Sequence, residues 1–123
     1  MNNLLLIDDD PGVLRALTLL LKAFGFTVEA FTSPVEALEY LRTPNTIEMV
    51  LSDLRMPELS GEDVLKQIRA EFGALPVIIM SGHATDRDVG RLKSIGLNAF
   101  VPKPFTPAQL IAAMAEIDKT EAA

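Results

Sequence analysis

Five times along the chain a short apolar run is followed by a stretch of helical periodicity, and no other feature narrows the choice of fold as far. The runs cover residues 4–7, 26–31, 49–51, 77–80 and 98–102. Runs this short suit strands better than helices. Between them, apolar residues recur at helical spacing. Val13, Leu14, Leu17, Leu20, Leu21 and Phe24 form one such stripe. Val64, Leu65, Ile68 and Phe72 form another, and Leu110, Ile111, Met114 and Ile117 a third. Stretches of this kind are amphipathic helices that bury one face. Strand and helix alternating in this way dictate an α/β class with a parallel sheet, because each crossover helix returns the chain to the same sheet edge-on.

Local signals place the helix ends. Asp10-Pro11 reads as an N-cap followed by proline at the first helical position, and Gly25 as the residue that stops the first helix. Ser33-Pro34-Val35-Glu36 reads as a capping box opening a helix that runs to about residue 42. Ser60 caps the third helix and Gly73 follows it, while Thr106-Pro107-Ala108-Gln109 opens the last as a second capping box. The fourth helix, roughly 85–95, offers only Val89, Leu92 and Ile95 for burial, so it is held weakly and shifts at low cost. Glu29 inside the second run marks a wet face, and Pro102 inside the fifth removes a ladder donor; both point to sheet edges. The dry first, third and fourth runs belong in the middle. The strand order that meets these constraints is 2-1-3-4-5, the doubly wound arrangement.

With 123 residues, 49% of them hydrophobic, the chain suits one domain with a proper core. That domain is expected over 1–119, with a disordered tail at 120–123. The net charge of −6 disfavours direct contact with a phosphate backbone, so no nucleic-acid binding is expected. The lack of cysteine excludes disulfides and thiolate metal sites. No stretch reads as a signal or membrane span, and the expected location is cytoplasmic.

In an open parallel sheet, ligands bind beyond the carboxyl ends of the strands. The first run here ends in Asp8-Asp9-Asp10, the third in Ser52-Asp53, the fourth in Ser81-Gly82 and the fifth near Lys103-Pro104. Any one of these is ordinary turn or cap chemistry, and Asp10 is read as a helix cap only. Together, at neighbouring strand ends, they make a site. Asp8, Asp9 and Asp53 repel one another, and a hard divalent ion such as Mg²⁺ relieves that repulsion. Lys103 adds a point charge and Ser81 a hydroxyl that donates to an anionic oxygen. A carboxylate nucleophile, a divalent ion, a cation and a hydroxyl are the parts that phosphoryl transfer to an aspartate requires.

These residues carry a resemblance. LLLIDDD at the first strand, LSDLRMPELSG at the third, IIMSGHA at the fourth and NAFVPKPF at the fifth resemble a receiver domain of the two-component response regulator family, across nearly the whole chain. The resemblance implies a flavodoxin-like (βα)5 fold and Asp53 as the phosphorylated residue. It implies Mg²⁺ held directly by Asp9 and Asp53, through water by Asp8, and by the backbone carbonyl of Arg55. Ser81 becomes the switch hydroxyl, Lys103 the phosphate-binding lysine, Phe100 the switch aromatic, and Lys103-Pro104 a cis peptide. His83 is read as a loop residue rimming the site. The expected donor is a sensor histidine kinase or histidine phosphotransfer protein. The expected output is a protein contact through the fourth helix, fifth strand and fifth helix, to a downstream partner or an output domain. Beyond its own phosphorylation and dephosphorylation no enzyme activity is expected. Two other readings stand beside it. One is a receiver-like binding module that is never phosphorylated, against which the full residue set speaks. The other is a phosphohydrolase of the haloacid dehalogenase class, which requires an aspartate where Arg55 stands.

Overall fold

A computed structural model describes residues 2–122, with side chains for 2–118. Its elements follow in strict alternation: β1 (Asn3–Ile7), α1 (Pro11–Ala23), β2 (Thr27–Phe31), α2 (Pro34–Leu41), β3 (Met49–Asp53), α3 (Gly61–Phe72), β4 (Val77–Ser81), α4 (Asp86–Ile95), β5 (Ala99–Pro102) and α5 (Pro107–Ala122). The strands form one parallel sheet in the order β2-β1-β3-β4-β5. This is the expected doubly wound sheet, with the wet strand β2 and the proline-bearing β5 at its edges. The tail expected to be disordered at 120–123 falls where the side chains, and at residue 123 the backbone, lie outside the described residues.

Successive strand residues face opposite sides, and the chain uses both. Leu4, Leu6, Met49, Leu51, Ile78 and Met80 pack under α1 and α5, against Leu14, Leu17, Leu21, Leu110, Met114 and Ile117. Leu5, Ile7, Val50, Val77 and Ile79 pack on the other side, under α2, α3 and α4. Each fully buried Leu or Ile contributes about 1.5–3 kcal/mol of hydrophobic stabilisation before entropy is counted. The central strands are therefore rigid, and whatever sits at their ends is held on a firm base.

Most expected helix boundaries hold. Asp10 accepts from the Gly12 and Val13 N–H groups, and Thr106 and Gln109 form the reciprocal box. Two local readings are corrected. Phe24 belongs to the α1 stripe by spacing, yet it is 54% exposed, because it is the C-cap residue and the chain turns away there. At α2 only half of the expected box forms. Ser33 accepts from the Glu36 N–H at 3.2 Å, and its hydroxyl donates to Glu58 Oε1 at 2.8 Å, tying the α2 cap to the β3–α3 loop. Helix α4 is held even more lightly than its sequence suggests: Leu92 is its one buried side chain, with Ile95 packed in part against the core.

Candidate functional site

The carboxyl ends of β1, β3 and β4 and the turn after β5 meet at one end of the sheet. Strand pairing sets Asp53 beside Met80, and Ser81 beside Pro102. The Lys103 N–H continues that ladder onto the Ser81 carbonyl at 2.9 Å, which holds Lys103 at the same end of the sheet. The Lys103–Pro104 peptide is cis, as expected.

Asp8 is almost fully buried, at 1% exposure. Its Oδ1 accepts from the Asp10 N–H at 3.0 Å, and its Oδ2 lies 3.4 Å from Lys103 Nζ. The same ammonium lies 3.7 Å from Asp53 Oδ2. Asp53 Oδ1 is tied by the Leu54 N–H at 2.8 Å, which leaves Oδ2 as the oxygen toward Lys103. Asp9 completes the cluster: Asp8, Asp9 and Asp53 each bring a carboxylate oxygen to within 4.8 Å of the others. One lysine cannot balance three carboxylates, so the cluster carries excess negative charge on a partly buried floor. A hard divalent cation fits this donor set, which is all oxygen and short of positive charge.

The charge imbalance acts on Asp53. Burial pushes its carboxyl above the ordinary range, Lys103 pulls it back, and Asp8 and then Asp9 push it up again. A carboxyl whose folded pKa is raised binds its proton more tightly when folded. Its contribution to stability is present below the unfolded pKa and lost as pH rises through the folded one. Asp53→Asn in chelator-treated buffer should therefore raise the melting temperature by a few degrees at pH 7. The gain should shrink as pH falls toward 3.8, the ordinary value for this group. An equal gain at both ends of a pH series of thermal melts would show that ionisation of Asp53 is not its source.

Asp53 opens onto a cavity of about 850 Å³ lined by Ser81, Gly82, His83, Lys103 and Arg55, with Val13, Leu17 and Phe105 on its apolar side. Ser81 is only 4% exposed, and its Oγ accepts from the His83 N–H at 3.2 Å. His83 is an exposed rim residue, as read from the sequence. Phe100 stands apart from the cavity, half-buried against the core under α3 and α4. The Arg55 side chain reaches α4, where Nη2 lies 3.7 Å from Asp88 Oδ2. Sequence reading missed that contact, and missed the capping box between Thr85 and Asp88 that presents the carboxylate, although Thr85-Asp86-Arg87-Asp88 carries its signature.

Residues 4–115 match the family model described as the response regulator receiver domain. The transcriptional regulatory protein CpxR homolog of Haemophilus influenzae is 37% identical over 112 residues, which cover 91% of this chain and 48% of that protein. The transcriptional regulatory protein GlrR of Escherichia coli is 36% identical over 102 residues, covering 83% of this chain and 23% of that one. The chain thus spans half or less of these relatives' lengths. Among solved structures, a response regulator receiver domain protein from Clostridium thermocellum superposes with a TM-score of 0.89 at 30% identity, covering 99% of this chain and 98% of that one. A response regulator receiver protein from Pseudomonas putida gives 0.87 at 30% identity, with 94% and 96% covered.

Proposed function

Because the chain belongs to the response regulator receiver family, we propose that it is a phospho-accepting switch in which Asp53 takes a phosphoryl group from the phosphohistidine of a histidine kinase or histidine phosphotransfer protein. The observation that carries this reading is the gathering of the Asp8, Asp9 and Asp53 carboxylates within 4.8 Å of one another, with Lys103 Nζ 3.4 Å from Asp8 and 3.7 Å from Asp53, beside an open cavity lined by Asp53 and Lys103. Asp53 Oδ2 is the free oxygen of the acceptor. It attacks phosphorus and forms the new O–P bond as the N–P bond of the donor breaks. The leaving imidazole nitrogen keeps that electron pair and takes a proton from solvent. Lys103 lies on the same side as Oδ2, where its ammonium meets an equatorial phosphoryl oxygen. The Ser81 hydroxyl, on the cavity wall, donates to another.

Asp9, Asp53 and the Arg55 carbonyl would hold Mg²⁺, with Asp8 assisting through water. Bound there, the ion neutralises the carboxylates and the phosphoryl oxygens that must come together. Hydrolysis restores the carboxylate when water attacks phosphorus and releases inorganic phosphate. Response regulator receivers act as signalling modules rather than as enzymes on other substrates. The relatives' names point to transcriptional control. In this acidic domain the signal leaves through protein contacts of α4, β5 and α5, toward a partner or an output domain.

Intact mass spectrometry after acetyl phosphate and Mg²⁺ tests the reading: one phosphoryl group should be gained, and none with the metal chelated. No gain with the metal present would favour a receiver-like binding module that is never phosphorylated. The switch has its own variant. Ser81→Ala keeps the acceptor and the metal ligands, so it should still be labelled. Its amide shifts at Phe100 and along α4 on adding beryllofluoride and Mg²⁺ should be less than about half those of the unsubstituted protein. Burying the half-exposed Phe100 ring supplies at most roughly 1–2 kcal/mol to such a change, enough to bias a two-state equilibrium but not to saturate it. Equal shifts in both proteins would remove Ser81 from the pathway.

A further inference from the structure

We propose that Arg55 is a transferable cation, held by Asp88 while Asp53 is bare and drawn to the phosphoryl anion once Asp53 carries one, so that modification unlatches the N-terminal half of α4. The inference rests on the reading of Asp53 as the acceptor. Arg55 lies two residues beyond Asp53 and lines the same cavity. Its side chain is 64% exposed and is held at its tip by a 3.7 Å ion pair to Asp88, which is itself 17% exposed. Asp88 is heavily subscribed: Oδ2 also accepts from the Thr85 N–H at 2.9 Å, and Oδ1 from Arg91 Nη2 at 3.1 Å. Arg91 in turn pairs with Glu62 at 2.6 Å, joining α4 to α3.

The two ends of α4 are fastened differently. Beyond its C-terminus, Arg69 donates to the Gly96 carbonyl at 3.1 and 2.7 Å and to Asn98 Oδ1 at 2.7 Å. The same guanidinium holds the Gly73 and Leu75 carbonyls at 2.9 and 2.6 Å. Gly96 sits at φ 113°, and a β-carbon there would lie 2.9 Å from Arg69 Nε, so the pin is built closely around a glycine. The N-terminal half has its own capping box, no fully buried side chain, and ion pairs of Asp88 with Arg55 and of Arg91 with Glu62 that reach the β3–α3 loop and α3. Leu92, the buried side chain, lies toward the C-terminal end. A freed α4 therefore swings at its N-terminus about a fixed C-terminal end.

Charge decides the direction of the exchange. A phosphoryl group carries about −1.5 to −2 and offers oxygens that match a guanidinium. Asp88 offers a single charge, already shared with Arg91. The anion on Asp53 is the stronger partner, and Asp88 is a positioning residue that keeps Arg55 parked until it forms.

The test uses Asp88→Asn, which keeps an oxygen for the Thr85 N–H but loses the charge, Asp88→Glu, which restores the charge, and Arg55→Ala. Amide hydrogen exchange reads the latch in unmodified protein, without any phosphoryl group. D88N and R55A should each speed exchange at 86–91 by roughly 2–5-fold, the scale of an exposed ion pair. Residues 92–97 should not change, R55A should add nothing on a D88N background, and D88E should restore protection. Salt near 1 M, where screening acts within about 3 Å, should reproduce the effect in the unsubstituted protein and not in D88N. Uptake from acetyl phosphate and Mg²⁺ reads the transfer: D88N should be labelled several-fold faster, and R55A/D88N should not. Unchanged exchange in R55A, or a D88E that behaves like D88N, overturns the latch. Normal labelling of the unsubstituted protein with no acceleration in D88N overturns the transfer alone. No labelling of the unsubstituted protein overturns the acceptor reading and the transfer with it, while the exchange measurements still decide the latch.

Discussion

Asp53→Asn should take up no phosphoryl group from acetyl phosphate, a loss on the order of 10³-fold or more. The argument is local. The amide oxygen of Asn can still accept from the Leu54 N–H, as Asp53 Oδ1 does at 2.8 Å, so the side chain keeps its orientation. What disappears is Oδ2, the carboxylate oxygen that faces Lys103 at 3.7 Å; an amide nitrogen in its place has no lone pair free to attack phosphorus. The other two carboxylates are poor substitutes. Asp8 is 1% exposed and its Oδ1 is bound by the Asp10 N–H, and Asp9 is expected to face the metal. Intact mass and peptide mapping check this. Full labelling of D53N at either neighbour would refute the assignment of Asp53, even if the unsubstituted protein gains one phosphoryl group.

Gly61→Ala should damage both stability and phosphoryl uptake, through backbone rather than chemistry. Gly61 opens α3, and its N–H donates to the Leu54 carbonyl at 2.7 Å, which folds the β3–α3 loop back onto the strand end. A β-carbon there would overlap the Asp53 carbonyl oxygen and lie 3.0 Å from Leu54 Cα and 3.2 Å from Asp53 C. None of these atoms can rotate out of the way. Either α3 moves off the sheet or the end of β3 moves, and with it Asp53. Overpacking of this kind costs about 1–3 kcal/mol, a fall in melting temperature on the order of 10 °C. Val28→Ala is the control, since Val28 is a buried residue on the edge strand β2. It should lose comparable stability yet keep its labelling rate, whereas G61A should be labelled at least about tenfold more slowly, the scale expected when a reacting group is misplaced by about 1 Å. Equal labelling rates in the two variants would mean that the strand end tolerates the methyl group and that Gly61 serves folding alone.

The loop that Gly61 closes holds a second constraint. Glu58 has φ 69°, a left-handed conformation that side chains with a β-carbon adopt at a cost. Its carboxylate accepts from the Ser33 hydroxyl, which helps hold the loop in that shape. The end of β3 that carries Asp53 is thus braced from α3 and from the α2 cap together.

Much of this protein was open to sequence reading because the relevant physics is periodic or local. Apolar runs stop where a strand leaves the core, so Asp8, Asp53 and Ser81 announced themselves by position, and Lys103 by following the fifth run. Wet Glu29 and Pro102 marked the edges, from which the strand order followed. Ser60, Thr106 and Asp10 marked helix starts because capping bonds span only two or three residues. Even the weakness of α4 was visible as a shortage of apolar side chains.

The tertiary structure alone decided what depends on the path of a loop through space. Whether Asp53 Oδ1 or Oδ2 faces Lys103, and how a single ammonium is divided between Asp8 and Asp53, depends on distances of a few ångströms across separate strands. The Ser33 hydroxyl caps α2 and also donates to Glu58, 25 residues away, a contact that no local signal announces. Phe24 has the spacing of a core residue and the exposure of a surface one, because periodicity describes a helix face and not where the chain leaves it. The pairing of Arg55 with Asp88, and the pinning of the Gly96 carbonyl by Arg69, rest on long, charged side chains that reach partners distant in sequence. Burial patterns report which residues leave water. Charged contacts near the surface leave no such pattern, since a solvated arginine and a paired one look alike until the fold brings a carboxylate or a carbonyl within reach.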